Sequence, residues 1–92
     1  MKVNLYATLR AIVGQKTVDL DAAPGVTAIE LVELLVQRYP ALRPELLDGN
    51  NQFHSHQKFF INGREAIYME NKMNTSIQAE DRVDIFPPVG GG

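Results

Sequence analysis

Asp81-Arg82-Val83-Asp84-Ile85-Phe86-Pro87-Pro88-Val89-Gly90-Gly91-Gly92 passes from an apolar, alternating stretch to three glycines with only two prolines and a valine between. Residues Arg82 to Phe86 have the period-two pattern of a half-buried strand. No polar linker follows it. The prolines restrict the backbone where the strand ends. The glycines, without a Cβ, make a thin thread that can enter a narrow site. A disordered terminus would account for glycines alone, but not for a core strand and two prolines directly before them. The segment is therefore read as a domain over residues 1–87 followed by a flexible tail over residues 88–92, with a reactive carboxylate on Gly92. The six residues from Pro87 to Gly92 reach about 20 Å when extended, enough to enter a partner's buried site.

Composition narrows what the remainder can be. Ninety-two residues, 45% of them apolar and 22% charged, suit one ordinary globular domain. Eleven acidic and nine basic side chains give a net charge of −2, and the pI is about 5.6. With no dense Lys/Arg run, binding driven by phosphate neutralisation is not expected, so nucleic acid is excluded as a partner. No apolar run approaches the roughly 20 residues needed to span a bilayer. Met1-Lys2-Val3-Asn4-Leu5 alternates instead of forming a signal segment. No membrane association is expected, and the cytoplasm is the expected location. The chain has no cysteine, which removes disulfides, thiolate metal sites and thiol nucleophiles. The terminal carboxylate is the chemical handle that remains.

Outward from the last strand, the pattern predicts further elements. Val3, Leu5, Ala7 and Leu9 alternate with polar residues, so Lys2–Leu9 reads as a strand. A turn at Gly14-Gln15 then leads into a second strand over Thr17–Asp21, making an opening hairpin. Thr27 and Glu30 stand at capping-box spacing and predict a helix start. Ala28, Leu31, Val32, Leu35 and Tyr39 form its apolar stripe, opposite Glu30, Glu33 and Gln37, and Pro40 ends it near Tyr39. A short helical segment over residues 41–47 should cover one end of the core with Leu42, Leu46 and Leu47. A polar loop runs from Asp48 to about Gln57. Lys58–Ile61 reads as a strand, Asn62-Gly63 as a two-residue hairpin turn, and Arg64–Tyr68 as the returning strand. Tyr68 and Met69 are read as packing residues. Ser76–Asp81 forms the turn into the last strand. This order predicts an α+β fold of β-grasp type: a mixed sheet of four to five strands packed on one main helix. Another small α+β sandwich is the competing arrangement.

Strand parity points to a docking surface. If Val3, Leu5, Val83 and Ile85 face the helix, Tyr6 and Phe86 face outward, as does Phe60 if Phe59 and Ile61 face in. Three aromatics on an open face suit an interface anchor at the root of the tail, unless the loop over residues 48–57 covers them. His54 and His56 lie two apart without a third ligand at a recognisable spacing, so no metal site is assigned. Glu30 and Glu33 lie in the first turns of a helix, where carboxylates favour the dipole, and no catalytic pair is evident.

Several stretches resemble the MoaD/ThiS group of ubiquitin-like sulfur carriers, and within it the small subunit of molybdopterin synthase. These are Val3-Asn4-Leu5-Tyr6-Ala7-Thr8-Leu9-Arg10, Ile61-Asn62-Gly63 and, most specifically, the ending from Asp81 to Val89 with its glycines. The chain departs in having Glu80-Asp81 where the family commonly has Gly-Asp, in a third glycine at Gly90, and in its longer loop. The resemblance implies a carrier that is not catalytic by itself and binds no cofactor of its own. An E1-like enzyme using ATP and magnesium would adenylate the Gly92 carboxylate, and a sulfur donor would convert it to a thiocarboxylate. The large subunit of molybdopterin synthase would then receive Gly92, with Gly91, Gly90, Val89 and Pro88 threading into its active site and Tyr6, Phe60 and Phe86 at the interface. A thiamin-pathway carrier and a ubiquitin-like protein modifier are the alternatives.

Overall fold

The computed structural model describes residues 1–88; the tail residues Val89, Gly90, Gly91 and Gly92 lie outside the described residues. Five strands form one mixed sheet in the order β2-β1-β5-β3-β4: β1 Lys2–Leu5, β2 Thr17–Asp19, β3 Lys58–Ile61, β4 Arg64–Glu65 and β5 Val83–Phe86. β1 runs parallel to β5, whereas β1–β2, β3–β4 and β3–β5 are antiparallel. The chain's first and last strands are thus adjacent, with β5 in the middle of the sheet. This is the β-grasp arrangement expected from the element order.

Helix α2, Ala28–Arg38, begins where the capping box places it. The Glu30 amide donates to Thr27 Oγ1 at 3.2 Å, and the Thr27 amide donates to Glu30 Oε1 at 2.9 Å. Its buried face carries Ala28, Leu31, Val32, Leu35 and Val36, which meet the inner face of the sheet at Val3, Leu5, Phe59, Ile61, Val83 and Ile85. The helix stops at Arg38, with Tyr39 as its C-cap before Pro40. A 3-10 turn at Pro40–Leu42 and a short helix α3, Arg43–Leu46, follow. Leu42, Leu46 and Leu47 are buried there, closing one end of the core as expected.

Three expectations are corrected. The first strand does not run to Leu9: it ends at Leu5, and Ala7–Val13 forms a helix, α1. Leu9 stands four residues from both Leu5 and Val13, so its burial fits a helical period as well as an alternating one. Tyr6 takes an extended conformation, and its carbonyl accepts from the amides of Leu9 and Arg10. Gly14 closes α1 at φ 87°, donating to the Arg10 carbonyl at 2.7 Å; a side chain there would be strained. β1 and β2 do form the expected opening antiparallel pair, but they are joined by α1 and not by a short turn alone, and β2 is a strand only over Thr17–Asp19.

Second, Asn62 and Gly63 do take positive φ, 53° and 83°, as a two-residue hairpin requires. The returning strand, however, lasts only through Glu65 before a 3-10 turn at Ala66–Tyr68. Ala66, the first residue of that turn, is buried. Third, Tyr68 is not a packing residue, being 80% exposed, whereas Met69 packs against the core.

The capping box yields a stability prediction. Hydrogen bonding to the Thr27 backbone and then to its side chain holds the Glu30 carboxyl below its ordinary value of 4.5. A lowered folded-state value means that Glu30 contributes stability above the unfolded value, and that this contribution is lost as pH falls below about 4.5. In chemical denaturation at neutral pH, Thr27→Ala should cost about 1 kcal/mol. Glu30→Gln should flatten the acid side of the stability profile. An unchanged profile in Glu30→Gln would contradict the assignment.

Candidate functional site

The parallel register Val3↔Val83, Asn4↔Asp84 and Leu5↔Ile85 builds the outer face of the sheet. Because strand side chains alternate, Val3, Leu5, Val83 and Ile85 enter the core, and Asn4, Tyr6, Asp84 and Phe86 stand on the opposite face. The Tyr6 and Phe86 rings stack, with centroids 4.1 Å apart and planes 12° apart. Phe60, opposite Asp84 in the antiparallel β3–β5 pairing, meets Phe86 edge-on at 5.5 Å and 86°. All three rings are half-buried.

Asp84 lies beside these rings and is itself only 4% exposed. A carboxylate removed from water on one face of a sheet requires partners, and it has three. Asn4 Nδ2 donates to Oδ1 at 3.0 Å and the Tyr6 hydroxyl donates to the same oxygen at 2.8 Å. Arg82 Nε pairs with Oδ2 at 2.8 Å. The neighbouring Tyr6 oxygen, and then the Asp84 carboxylate, hold the Arg82 guanidinium above its ordinary pKa. Like any arginine, Arg82 carries its positive charge in the folded protein. Its backbone is fixed as well: its amide donates to Asn62 Oδ1 at 2.8 Å, and Asn62 Nδ2 donates to Asp81 Oδ1 at 2.9 Å. Between these groups lies an open depression of about 490 Å³ lined by Phe60, Asn62, Gly63, Arg82, Asp84 and Phe86.

The structure thus brings together Tyr6, Phe60 and Phe86, the three residues that parity nominated. The loop over residues 48–57 does not cover them. Its Phe53 instead meets Phe59 edge-on at 6.0 Å, and Phe59 faces the core. Pro87, buried, and Pro88, exposed, follow Phe86 directly, so the patch stands at the root of the tail. The carboxylate and threading residues Gly92, Gly91, Gly90 and Val89 fall outside the described residues. His54 and His56 lie in the polar loop with ring centroids 4.7 Å apart; among the described residues no group of three or more His, Asp or Glu gathers as a metal site. No helix among the described residues is long and apolar enough to cross a membrane.

Sequence reading missed Asn4, Arg82 and Asp84. Arg82 and Asp84 share a strand face two residues apart, but the convergence of Asn4 on Asp84 depends on a pairing between residues 80 apart. Nothing local announces that.

A β-grasp domain whose central strand carries an aromatic face and then leads into a glycine tail defines a ubiquitin-like carrier. The comparisons agree: the ThiS family model matches residues 3–92, and the chain belongs to that family, of ubiquitin-like sulfur-carrier type. It is 29% identical over 92 residues to small archaeal modifier protein 3 of Haloferax volcanii, covering all of this chain and 98% of that protein. The crystal structure of small archaeal modifier protein 1 from Haloferax volcanii matches with a TM-score of 0.87 at 28% identity, covering 100% of this chain and 98% of that one. A putative molybdopterin converting factor subunit 1 from Pyrococcus furiosus shares the fold, with a TM-score of 0.75 at 22% identity over 96% of this chain and 95% of that one.

The aromatic cluster gives a second prediction. Each ring pair is worth roughly 0.5–1.5 kcal/mol beyond the area it buries. Phe86→Leu keeps much of the apolar volume but removes both pairs, so it should cost about 1–2 kcal/mol in chemical denaturation and diminish the tyrosine near-ultraviolet dichroism. Wild-type stability in this variant would mean that the rings do not cooperate.

Proposed function

We propose that this chain is a ubiquitin-like protein modifier activated at the carboxylate of Gly92, and that the same activated terminus can be loaded with sulfur. The observation that carries the reading is the aromatic face of Tyr6, Phe60 and Phe86 at the root of a strand that continues into Pro87-Pro88-Val89-Gly90-Gly91-Gly92. End-to-end similarity to a small archaeal modifier protein supports the modifier role over a dedicated pathway subunit.

The chemistry follows from the carboxylate's low reactivity. An E1-like enzyme binding ATP and magnesium lets a Gly92 oxygen attack the α-phosphorus, expelling pyrophosphate and forming an acyl-adenylate. A lysine amine of a target protein then attacks the carbonyl, AMP leaves, and an isopeptide bond remains. If hydrosulfide released by a sulfur donor attacks the carbonyl instead, the bond to AMP breaks, AMP leaves and a thiocarboxylate remains. In both cases the aromatic face docks the body of the protein while the tail reaches the enzyme's site. Stiff prolines at the base reduce the ordering cost of insertion, and glycines at the tip admit close approach by the nucleotide.

A second reading, sulfur donation as the small subunit of molybdopterin synthase, is favoured by one feature: the ending from Asp81 to Val89 resembles that subunit most specifically. The two differ in their product. The chain should be incubated with its E1-like enzyme, ATP and magnesium, then offered either protein lysines or a sulfur donor, and its products read by mass spectrometry. The proposal expects pyrophosphate release, loss of both activities on deleting Gly91 and Gly92, and lysine adducts joined through Gly92. Exchange of one oxygen for sulfur without any lysine adduct, together with capture of a large synthase subunit, would shift the assignment to the second reading. Absence of adenylation would reject both.

A further inference from the structure

We infer that the depression between Phe60, Phe86 and Arg82 is a seat for a partner's carboxylate set beside an apolar side chain, so that the surface docking here is acidic around an apolar centre. This inference rests on the reading that the aromatic face binds a partner protein, and it specifies that partner's chemistry.

Arg82 carries the argument. A guanidinium is a planar fork with five N–H donors, and Asp84 engages it through Nε. The side chain is nonetheless 68% exposed, and among the described residues it forms no ion pair with a second carboxylate. The same contact that binds its inner edge orients its outer edge, because the Asp84 pairing and the backbone bond to Asn62 fix both ends of the residue. A pre-oriented fork loses less freedom on binding than a free lysine would, and it matches a carboxylate with two parallel hydrogen bonds. Phe60 and Phe86 supply apolar walls to the same depression.

The charge on this face has the sign that the inference needs. Its anions are already engaged: Asp84 by Asn4, Tyr6 and Arg82, and Glu65 by Lys58 at 4.0 Å with little exposure of its own. The cations are open to solvent. Lys16 Nζ stands 5.4 Å from the Tyr6 ring centroid, and Lys58, paired in register with Phe86, is exposed. On a chain of net charge −2, Lys58 is balanced by Glu65, and the charges that reach solvent beside the rings are the outer edge of Arg82 and the Lys16 ammonium, both positive. Such complementarity steers encounter and selects partners more than it adds affinity. Rejection of basic surfaces follows from the same arrangement.

The test uses the full isotope-labelled chain and two peptide probes, acetyl-Leu-Phe-Glu-Leu-amide and its Gln counterpart. Titration followed by amide chemical shifts should move Phe60, Arg82, Asp84 and Phe86 with the Glu peptide, and the Gln peptide should bind about tenfold more weakly. Arg82→Gln should lose the preference for Glu. Arg82→Lys, which keeps the charge and guards against a folding artefact, should bind several-fold more weakly than wild type but retain some preference. Glu33→Gln, on the exposed face of α2, should change nothing. Equal binding of the two peptides, shifts clustered elsewhere, or no shift at about 10 mM peptide would overturn the inference. If the peptides bind as stated and Gly92 is never adenylated, the seat stands and the functional reading falls. If adenylation proceeds and the peptides do not discriminate, the reverse holds.

Discussion

The parallel pairing of β1 with β5 is the constraint on which the rest of this molecule depends. It joins the two ends of the chain at the centre of the sheet and sets which residues share a face. With Leu5 opposite Ile85, both enter the core, and the residues that follow them, Tyr6 and Phe86, stack outside. A slip of one residue in either strand would exchange the two sets, placing Asp84 in the core and Ile85 in water. Burial of Val3, Leu5, Val83 and Ile85 makes that slip expensive. Core packing thus determines the geometry of the outer face.

Asp84 shows how the outer face is held. Desolvating a carboxylate costs several kcal/mol, and a hydrogen bond to a charged group returns roughly 1.5–3 kcal/mol. Two neutral donors and one cation are therefore enough to offset the burial without leaving a large surplus, since Arg82 is mostly exposed and its pairing is screened by water. The value of the network is positional. It aims the Tyr6 ring at Phe86 from one side and orients Arg82 from the other. A hydrophobic residue at position 84 could pack there at similar stability, but neither Tyr6 nor Arg82 would then be directed.

Local chemistry explains what was legible in the sequence. The capping box at Thr27 and Glu30, the stop before Pro40, the Asn62-Gly63 turn and the outward aromatics all follow from rules that act over a few residues, and each appears in the structure. The failures arise where two periods coincide or where partners are remote. Leu9 satisfies both an alternating and a helical reading, so α1 was concealed within an apparent strand; Gly14 was legible as a turn but not as a helix cap. β4 stops at Glu65, where a 3-10 turn begins with buried Ala66, and no strand rule anticipates that turn. Arg82 and Asp84 lie two residues apart on one strand face, but Asn4 and Tyr6 reach Asp84 only after β1 and β5 have paired, so no local pattern could assemble the whole network.

Whether Asp84 and Tyr6 act as a unit is the most direct test of this account, and a double-mutant cycle of Tyr6→Phe and Asp84→Asn, measured by chemical denaturation, decides it. Direct bonding at 2.8 Å predicts a coupling of about 1 kcal/mol between the two substitutions. Effects that simply add, to within about 0.3 kcal/mol, would show that the hydroxyl and the carboxylate do not sense each other and would contradict the outer-face geometry described here.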